Sequence, residues 1–290
     1  MDGINECIVN QQPGGAGVMN IIHRVISAAV VVTAVTFQLS SARGEAETAF
    51  LEVTHMSVPE GGGEEYLAME RVWSKFHRAR RDAGLIKGWG VFKVKRTHGP
   101  KSDYNYGVVT VYESWDHLNK GGGYIDGDKI SDSLSDKEKA LMARTGKIRK
   151  MQRVQLWGLE ASALPWKWDR EAKNVSDTIL LGFMKSKNFQ HLNLEKNIYQ
   201  KIWAKAVDEG YQVDWHLWRQ RYPFGEKIPY DLIAAHFVPD SKNRKSMPDN
   251  WFQKTAKELF PDQADSLGEK TNAARDIPIV EEWTRVGSLD

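Results

Sequence analysis

The chain contains very little cysteine, and it lacks the short motifs that mark common catalytic sites. Its single cysteine, Cys7, lies ahead of an apolar amino-terminal segment. A disulfide within the remaining chain is therefore excluded, so the fold must be stabilised by its core. No G-x-S-x-G elbow, H-E-x-x-H helix, P-loop or CxxC pair follows that segment. These absences exclude the motif-defined serine hydrolases, zinc proteases, P-loop NTPases and dithiol oxidoreductases.

A charge excess of one sign is also missing. The 290 residues include 40 Lys and Arg and 38 Asp and Glu, which gives a formal net charge of +2. Basic residues are interspersed with acidic ones, and the dense basic group at 78–81 is expected on the solvated face of a helix. Nucleic acid is therefore not expected as a partner, because its binding would need a continuous basic patch.

One long apolar run is present, near the amino terminus. Residues 25–39 read VISAAVVVTAVTFQL, follow Arg24 and precede the small residues Ser40 and Ala42. The run is short for a membrane span and fits a signal peptide with a small-residue cleavage site. We predict a signal peptide over 1–42, with Met19 as a second candidate start, and an exported protein that is periplasmic or extracellular. An uncleaved anchor is the alternative, and no stable membrane span is expected after cleavage.

Tryptophan is plentiful, with 11 residues, and several recur at a fixed spacing. An offset of 126 pairs Gly84 with Gly210, Trp89 with Trp215, Tyr104 with Tyr230, Arg149 with Arg275 and Trp157 with Trp283. Glu70 and Glu195 differ by 125, which predicts a one-residue slip within the first helix of the repeated unit. So many matches at one offset indicate an internal duplication.

Each copy reads as strand, helix, strand, strand, helix, strand. In the first copy, alternation and helical periodicity predict these elements at 49–58, 64–83, 89–95, 104–113, 136–144 and 149–159. In the second copy they fall at 178–185, 189–209, 212–222, 230–238, 249–259 and 278–287. We predict an α+β protein of two tandem ferredoxin-like βαββαβ units, at 43–162 and 177–290, joined by a linker at 163–176.

Both copies resemble the dimeric α/β-barrel superfamily, including uncharacterised exported members. The resemblance rests on element order, on the spacing from Gly84 to Trp89, and on Trp157 in the last strand. It implies two units packed sheet to sheet around a pocket and fused in one chain, so a monomeric pseudo-dimer is expected. The superfamily includes small-molecule monooxygenases and haem-using enzymes, which implies a small-molecule ligand. Haem is one cofactor that the resemblance allows, without a ligand set that can be carried over.

Strand alternation predicts which side chains face the pocket. Tyr104, Tyr106, Val108 and Thr110 share one face of the third strand, and His236 is the counterpart of Thr110 in the second copy. We expect this more polar face to line the pocket between the two sheets. The alternate residues Val109 and Val111 are expected to face the helices.

Two histidines are candidates for proton transfer. His55 lies on the first strand and aligns with Phe183, and a hydrogen-bonded structural role is its alternative. His77 follows Trp73 by one helical turn, and its ring could also ligate a haem iron. The candidate catalytic residues are His77, His55 and Tyr106; the candidate ligand-binding residues are Trp73, Trp89, Tyr104, Arg149 and His236; no protein metal site is predicted.

Structural alternatives apply to several of these residues. Arg149 and its counterpart Arg275 are expected either to bind a carboxylate or helix end, or to anchor an anionic substrate. The paired tryptophans are expected in the core or stacked on a ligand. Two functions follow: an exported small-molecule-binding barrel, monooxygenase-like or haem-associated if it is an enzyme, or a noncatalytic exported interaction module. The first predicts a pocket that reaches solvent, and the second predicts a solid interface.

Overall fold

The computed structural model describes residues 49–120, 125–166, 175–223, 229–239 and 242–289. The predicted signal peptide, Cys7 and most of the predicted linker lie outside these ranges. Among the helices within them, none has the length and apolar character needed to cross a membrane. We call residues up to Ser162 the first half and residues from Val175 the second half.

Eight strands form a closed barrel in which neighbouring strands are antiparallel. The strands are β1 (Phe50–Ser57), β2 (Gly88–His98), β3 (Tyr106–Tyr112), β4 (Lys150–Ser162), β5 (Val175–Ser186), β6 (Asp214–Tyr222), β7 (Leu232–Pro239) and β8 (Arg275–Ser288). Their order around the barrel is β4-β1-β3-β2-β8-β5-β7-β6. Pairing of β2 with β8 and of β4 with β6 closes the sheet, which removes free strand edges.

The strand order is the same in both halves. It runs β4-β1-β3-β2 in the first half and β8-β5-β7-β6 in the second. An α+β barrel is therefore confirmed. Two separate sheets packed face to face were expected. The structure instead has one continuous sheet, because each half supplies a hydrogen-bonding partner for both outer strands of the other.

Helices cover the outside of the barrel. They are α1 (Gly63–Asp82), α2 (Trp115–Lys120), α3 (Gly127–Asp132), α4 (Asp136–Ala143), α5 (Thr145–Ile148), α6 (Gln190–Leu194), α7 (Gln200–Asp208), α8 (Trp251–Leu259) and α9 (Leu267–Ala274). The turn after α1 contains Gly84 and the turn after α7 contains Gly210, with φ values of +67° and +77°. Glycine adopts this left-handed conformation at little cost, which explains its recurrence at both helix ends.

A π-helical segment, Glu195–Tyr199, joins α6 to α7. Glu70 matches Glu195 at an offset of 125, whereas the next aromatic residue, Trp73, matches Tyr199 at 126. A π turn holds one residue more than an α turn, so the extra residue of the second copy is absorbed here. The predicted slip therefore has a local structural cause.

The assignment of strand faces at β3 was wrong. Tyr106 and Val108 belong to the cluster beneath the first-half helices, and the Tyr106 ring lies 4.5 Å from that of Tyr66 on α1. Tyr104 lies inside the barrel. The alternation breaks at Asn105, whose side-chain amide bonds both the N–H and the carbonyl of Val58 at 2.8 Å. Tyr106 is therefore not a pocket-facing residue between the sheets.

Candidate functional site

Inside the barrel, His55 and Tyr104 meet within a buried polar cluster. His55 Nε2 donates to Gln155 Oε1 at 2.9 Å, and the Tyr104 ring lies 4.2 Å from the imidazole. Burial, followed by the charge of Arg153, lowers the pKa of His55 to about 3. His55 is therefore neutral, and its Nδ1 has no hydrogen-bond partner among the described residues.

Glu281 is the carboxylate of this cluster. It is fully buried and accepts hydrogen bonds from Ser102 Oγ at 2.6 Å, Trp283 Nε1 at 2.7 Å and Tyr104 Oη at 2.8 Å. Several donors on one carboxylate form charge-assisted hydrogen bonds, which stabilise the anion inside the barrel. Burial and the nearby Glu281 charge raise the pKa of Tyr104.

Aromatic and aliphatic side chains fill the barrel around this cluster. They include Val53, Tyr104, Trp157, Phe183, Trp218, Tyr230, Ile233 and Trp283, all of them buried. The paired tryptophans Trp157 and Trp283 thus lie in the core, and Trp157 stacks on Tyr230 with ring centres 6.0 Å apart. Of the polar residues expected at a central pocket, His55 and Tyr104 come together, and they do so inside a packed interior.

His77 lies outside the barrel, on α1. Its ring stacks on Trp89 at 4.9 Å with an interplanar angle of 15°, and Nδ1 lies 3.3 Å from Arg80 Nη1. Burial and the charges of Arg80 and Arg149 lower the pKa of His77. The sheet separates His77 from His55, so the candidate catalytic residues do not form one site. Trp73 and Trp89 lie in the helix-side core with Tyr106.

Arg149 and Arg275 make equivalent ion pairs in the two halves. Arg149 bonds Glu70, and Arg275 bonds Glu195, with all four side chains largely buried. Each guanidinium also lies over an aromatic ring, 5.8 Å from the centre of Trp73 for Arg149 and 4.8 Å from that of Tyr199 for Arg275. Both arginines therefore bind a carboxylate of the protein, which was the structural alternative to anchoring an anionic substrate.

A groove of about 450 Å³ lies on the outer face of the second half, between the sheet and α7. Its apolar lining includes Leu180, Met184, Tyr199, Trp203, Ala234, Val238, Met247 and Val280, and its polar lining is Glu195, Gln212, His236 and Arg275. A second cavity, of about 440 Å³, shares Tyr199, Arg275 and Ile277 with the groove. The groove thus combines an apolar surface with a few polar side chains.

Smaller side chains on the sheet open this space. Val108 pairs with Thr54 across β3 and β1, and the corresponding pair across β7 and β5 is Ala234 with Gly182. Both second-half residues have lost branched side chains from the outer face. The floor of the groove therefore lies deeper than the same surface of the first half.

Smaller side chains at the side of the groove add to the space. In the first half, Arg80 Nη2 donates to the hydroxyl of Tyr112 at 3.4 Å. The offset of 126 places Ala206 and Val238 at these two positions in the second half. A guanidinium and a phenol fill the first-half space, whereas two small apolar side chains leave the second-half space open.

His236 lies at the groove beside Gln212 and Trp203. Its Nδ1 lies 3.1 Å from Gln212 Nε2, and its ring meets the Trp203 indole edge to face at 4.7 Å. Burial, followed by the Arg275 charge, lowers the pKa of His236 to about 4. The imidazole is therefore neutral at ordinary pH, and its Nδ1 is engaged by the Gln212 amide.

Glu195 was not among the predicted site residues. Its side chain is 1% exposed, it pairs with Arg275, and Oε1 lies 3.5 Å from His191 Nε2. Oε2 has no hydrogen-bond partner among the described residues. Two features of the sequence could have drawn attention to this site. Glu195 lies at the one-residue slip, and at the offset of 126 the large Tyr112 is matched by the smaller Val238.

Comparisons with solved structures return matches of low sequence identity. A candidate monooxygenase from Fusobacterium nucleatum is 9% identical, with a TM-score of 0.45, over 84% of this chain and 95% of that one. A heme-binding protein from Thermus thermophilus is 8% identical, with a TM-score of 0.42, over 83% of this chain and 92% of that one. A chlorite dismutase mutant from Candidatus Nitrospira defluvii is 8% identical, with a TM-score of 0.39, over 82% of this chain and 91% of that one.

The strand order of the chain itself establishes the closed eight-strand barrel that the resemblance implied. No family model and no curated relative matches the sequence. At such low identities and scores, no residue role is transferred from these proteins. Within the described ranges, no three His, Cys, Asp or Glu side chains are grouped as a metal site would require.

Proposed function

We propose that this chain is an exported, fused pseudo-dimer of two ferredoxin-like units that binds a small apolar or aromatic molecule in the second-half groove. The observation that carries the proposal is the groove itself. Its volume of about 450 Å³ and its mainly apolar lining match typical small-molecule sites, in which a few polar groups orient the ligand.

The rim of the groove supports this proposal. Leu180, Ile277 and Val280 are 39%, 49% and 37% exposed, although each is a large apolar residue. All three line the groove, so its entrance presents a contiguous apolar surface to solvent. Such surfaces often mark binding sites, because covering them with an apolar ligand removes them from water.

Haem does not fit the groove residues. A haem would need a side chain to ligate its iron, most often an imidazole, and cations for its carboxylates. His236 Nδ1 is already engaged by the Gln212 amide, and Arg275 is already paired with Glu195. The unpaired Glu195 oxygen would also repel a carboxylate. His77 stacks on Trp89 in the first half, away from the groove. We therefore assign the groove to an uncharged ligand other than haem.

The groove-filling variant Ala234→Val/Val238→Tyr tests the proposal. It restores the residues that the first half carries at Val108 and Tyr112, so each new side chain has a precedent on the same outer sheet face. Isothermal titration calorimetry of the purified mature protein with naphthalene-type probes measures affinity. We expect the variant to weaken binding about tenfold or more, which corresponds to about 1.4 kcal/mol.

Phe189→Ala is the matched control, because Phe189 is 83% exposed and does not line the groove. Its affinity should equal that of the parent protein. Equal affinity in the groove-filling variant, or no binding of any probe, would contradict the proposed site. Product formation in air from a bound probe would identify a monooxygenase-like reaction. A Soret change on adding haemin would contradict the assignment of the groove to an uncharged ligand other than haem.

The noncatalytic interaction module is the second candidate, because the filled barrel interior is what it predicted. It requires no small-molecule site, so a failed titration would favour it.

Export is a separate part of the proposal. Amino-terminal sequencing of protein from the extracellular or periplasmic fraction should start near Arg43. A chain that retains residues 1–42 in the membrane fraction would favour the uncleaved anchor.

A further inference from the structure

The two oxygens of the Glu195 carboxylate differ in their hydrogen bonding. Arg275 bonds Oε1, and His191 approaches the same oxygen at 3.5 Å. Oε2 is buried, lacks a partner among the described residues, and belongs to a side chain that lines the groove. A buried acceptor without a partner costs about 1–3 kcal/mol, and more when it is charged, so a donor supplied by a ligand would recover that cost.

Neighbouring side chains hold Glu195 in place. Ser186 Oγ lies 2.8 Å from His191 Nδ1, which fixes the ring whose Nε2 faces Glu195. The guanidinium of Arg275 is held in turn over Tyr199. His191 and Arg275 are therefore positioning residues, and Glu195 Oε2 is the carboxylate oxygen left without a partner among the described residues.

The backbone also differs at this point. The π-helical segment begins at Glu195, whereas the matching residue Glu70 lies within the regular helix α1. An extra residue in a helix costs regular hydrogen bonding, and π turns often occur at functional sites. The ion pair is thus common to both halves, but the open groove and the π turn occur together in the second.

We propose that Glu195 Oε2 accepts a hydrogen bond from an O–H or N–H group of the ligand. The substrate class is then an uncharged aromatic or alicyclic molecule that carries a hydroxyl or amino donor next to its apolar body. An anionic group would be repelled by the same oxygen. This inference rests on the proposed function, because it names the chemistry of the molecule in that groove.

Two probes of similar size separate donor recognition from apolar binding. 2-Naphthol has an O–H donor, and 2-methoxynaphthalene replaces its proton with a methyl group. Calorimetric titration of the parent protein should give at least about tenfold tighter binding of 2-naphthol, because a hydrogen bond to a charged acceptor contributes more than a neutral one. Similar affinities for both probes would overturn the inference and leave the groove proposal standing.

Two variants assign the preference to Glu195. Glu195→Gln should reduce the ratio of affinities several-fold, because it leaves a neutral acceptor. Glu195→Leu/Arg275→Met removes the buried pair as a unit, a change that proteins often tolerate, and should bring the ratio close to one. A tenfold ratio retained in the double variant would overturn the inference.

Glu70→Leu/Arg149→Met is the matched control, since it removes the equivalent pair from the half without the groove. It should retain the tenfold ratio, and thermal unfolding of both double variants checks that they fold. If neither probe binds the parent protein, the proposed function fails as a whole; if both bind equally, only donor recognition fails.

Discussion

Acid should destabilise this protein through His55, and one substitution isolates the effect. Burial lowers the pKa of the folded imidazole to about 3, whereas an unfolded histidine titrates near about 6.5. The folded state therefore excludes a proton that the unfolded state binds. Stability from this residue is present above pH ~6.5 and is lost as the pH falls from there towards ~3.

The magnitude follows from one excluded proton. The free energy of unfolding should fall by about 1.4 kcal/mol per pH unit for His55 alone once the unfolded histidine is protonated. Between pH ~6.5 and ~4.5 the loss is about 2 to 3 kcal/mol, a substantial part of the ~5–15 kcal/mol stability of a typical domain. His77 and His236 have lowered pKa values as well and should add to the same slope.

Urea unfolding followed by tryptophan fluorescence at a series of pH values measures this slope. His55→Gln can keep a hydrogen bond to Gln155 but cannot bind a proton, so its slope should be smaller by about one proton between pH ~6 and ~4.5. An unchanged slope in His55→Gln would refute the assignment of a buried neutral imidazole.

The remaining predictions concern features that the two halves share. Arg149→Met should cost about 3–5 kcal/mol in unfolding free energy, because Glu70 is left buried without its partner; the added change Glu70→Leu should recover most of that loss, and a small cost of the single variant would contradict the ion-pair account. Deletion of Asn197 should remove the extra residue of the π turn and lower Tm less than deletion of Arg71 from the regular helix α1. The reverse order in thermal unfolding would contradict the explanation of the slip.

Much of the fold could be predicted from repetition and periodicity. The offset of 126 and the recurring Gly84 and Gly210 marked equivalent helix ends, and the structure has a strand or helix at each predicted position. The short helices α2, α3, α5 and α9 were missed, because segments of four to eight residues carry too little periodicity to identify a helix. The closure of the sheet depended on long-range pairing between halves, which local patterns do not encode.

The candidate site was harder to predict. Simple alternation failed at Asn105, where one side chain bonds the backbone of Val58 and changes which face Tyr106 occupies. His55 and Tyr104 lie together inside the barrel, but whether that interior was open depended on the volumes of many side chains. The groove arises from size differences such as Tyr112 against Val238, which become informative only when strand register is known.

The most direct test of the account is a crystal structure of the mature protein with 2-naphthol. We predict electron density for the rings in the second-half groove, between Trp203 and Val280, with the hydroxyl oxygen within hydrogen-bond distance of Glu195 Oε2. Density for the ligand inside the barrel, beside His55 and Glu281, would contradict the central claim, as would an empty groove at a saturating concentration.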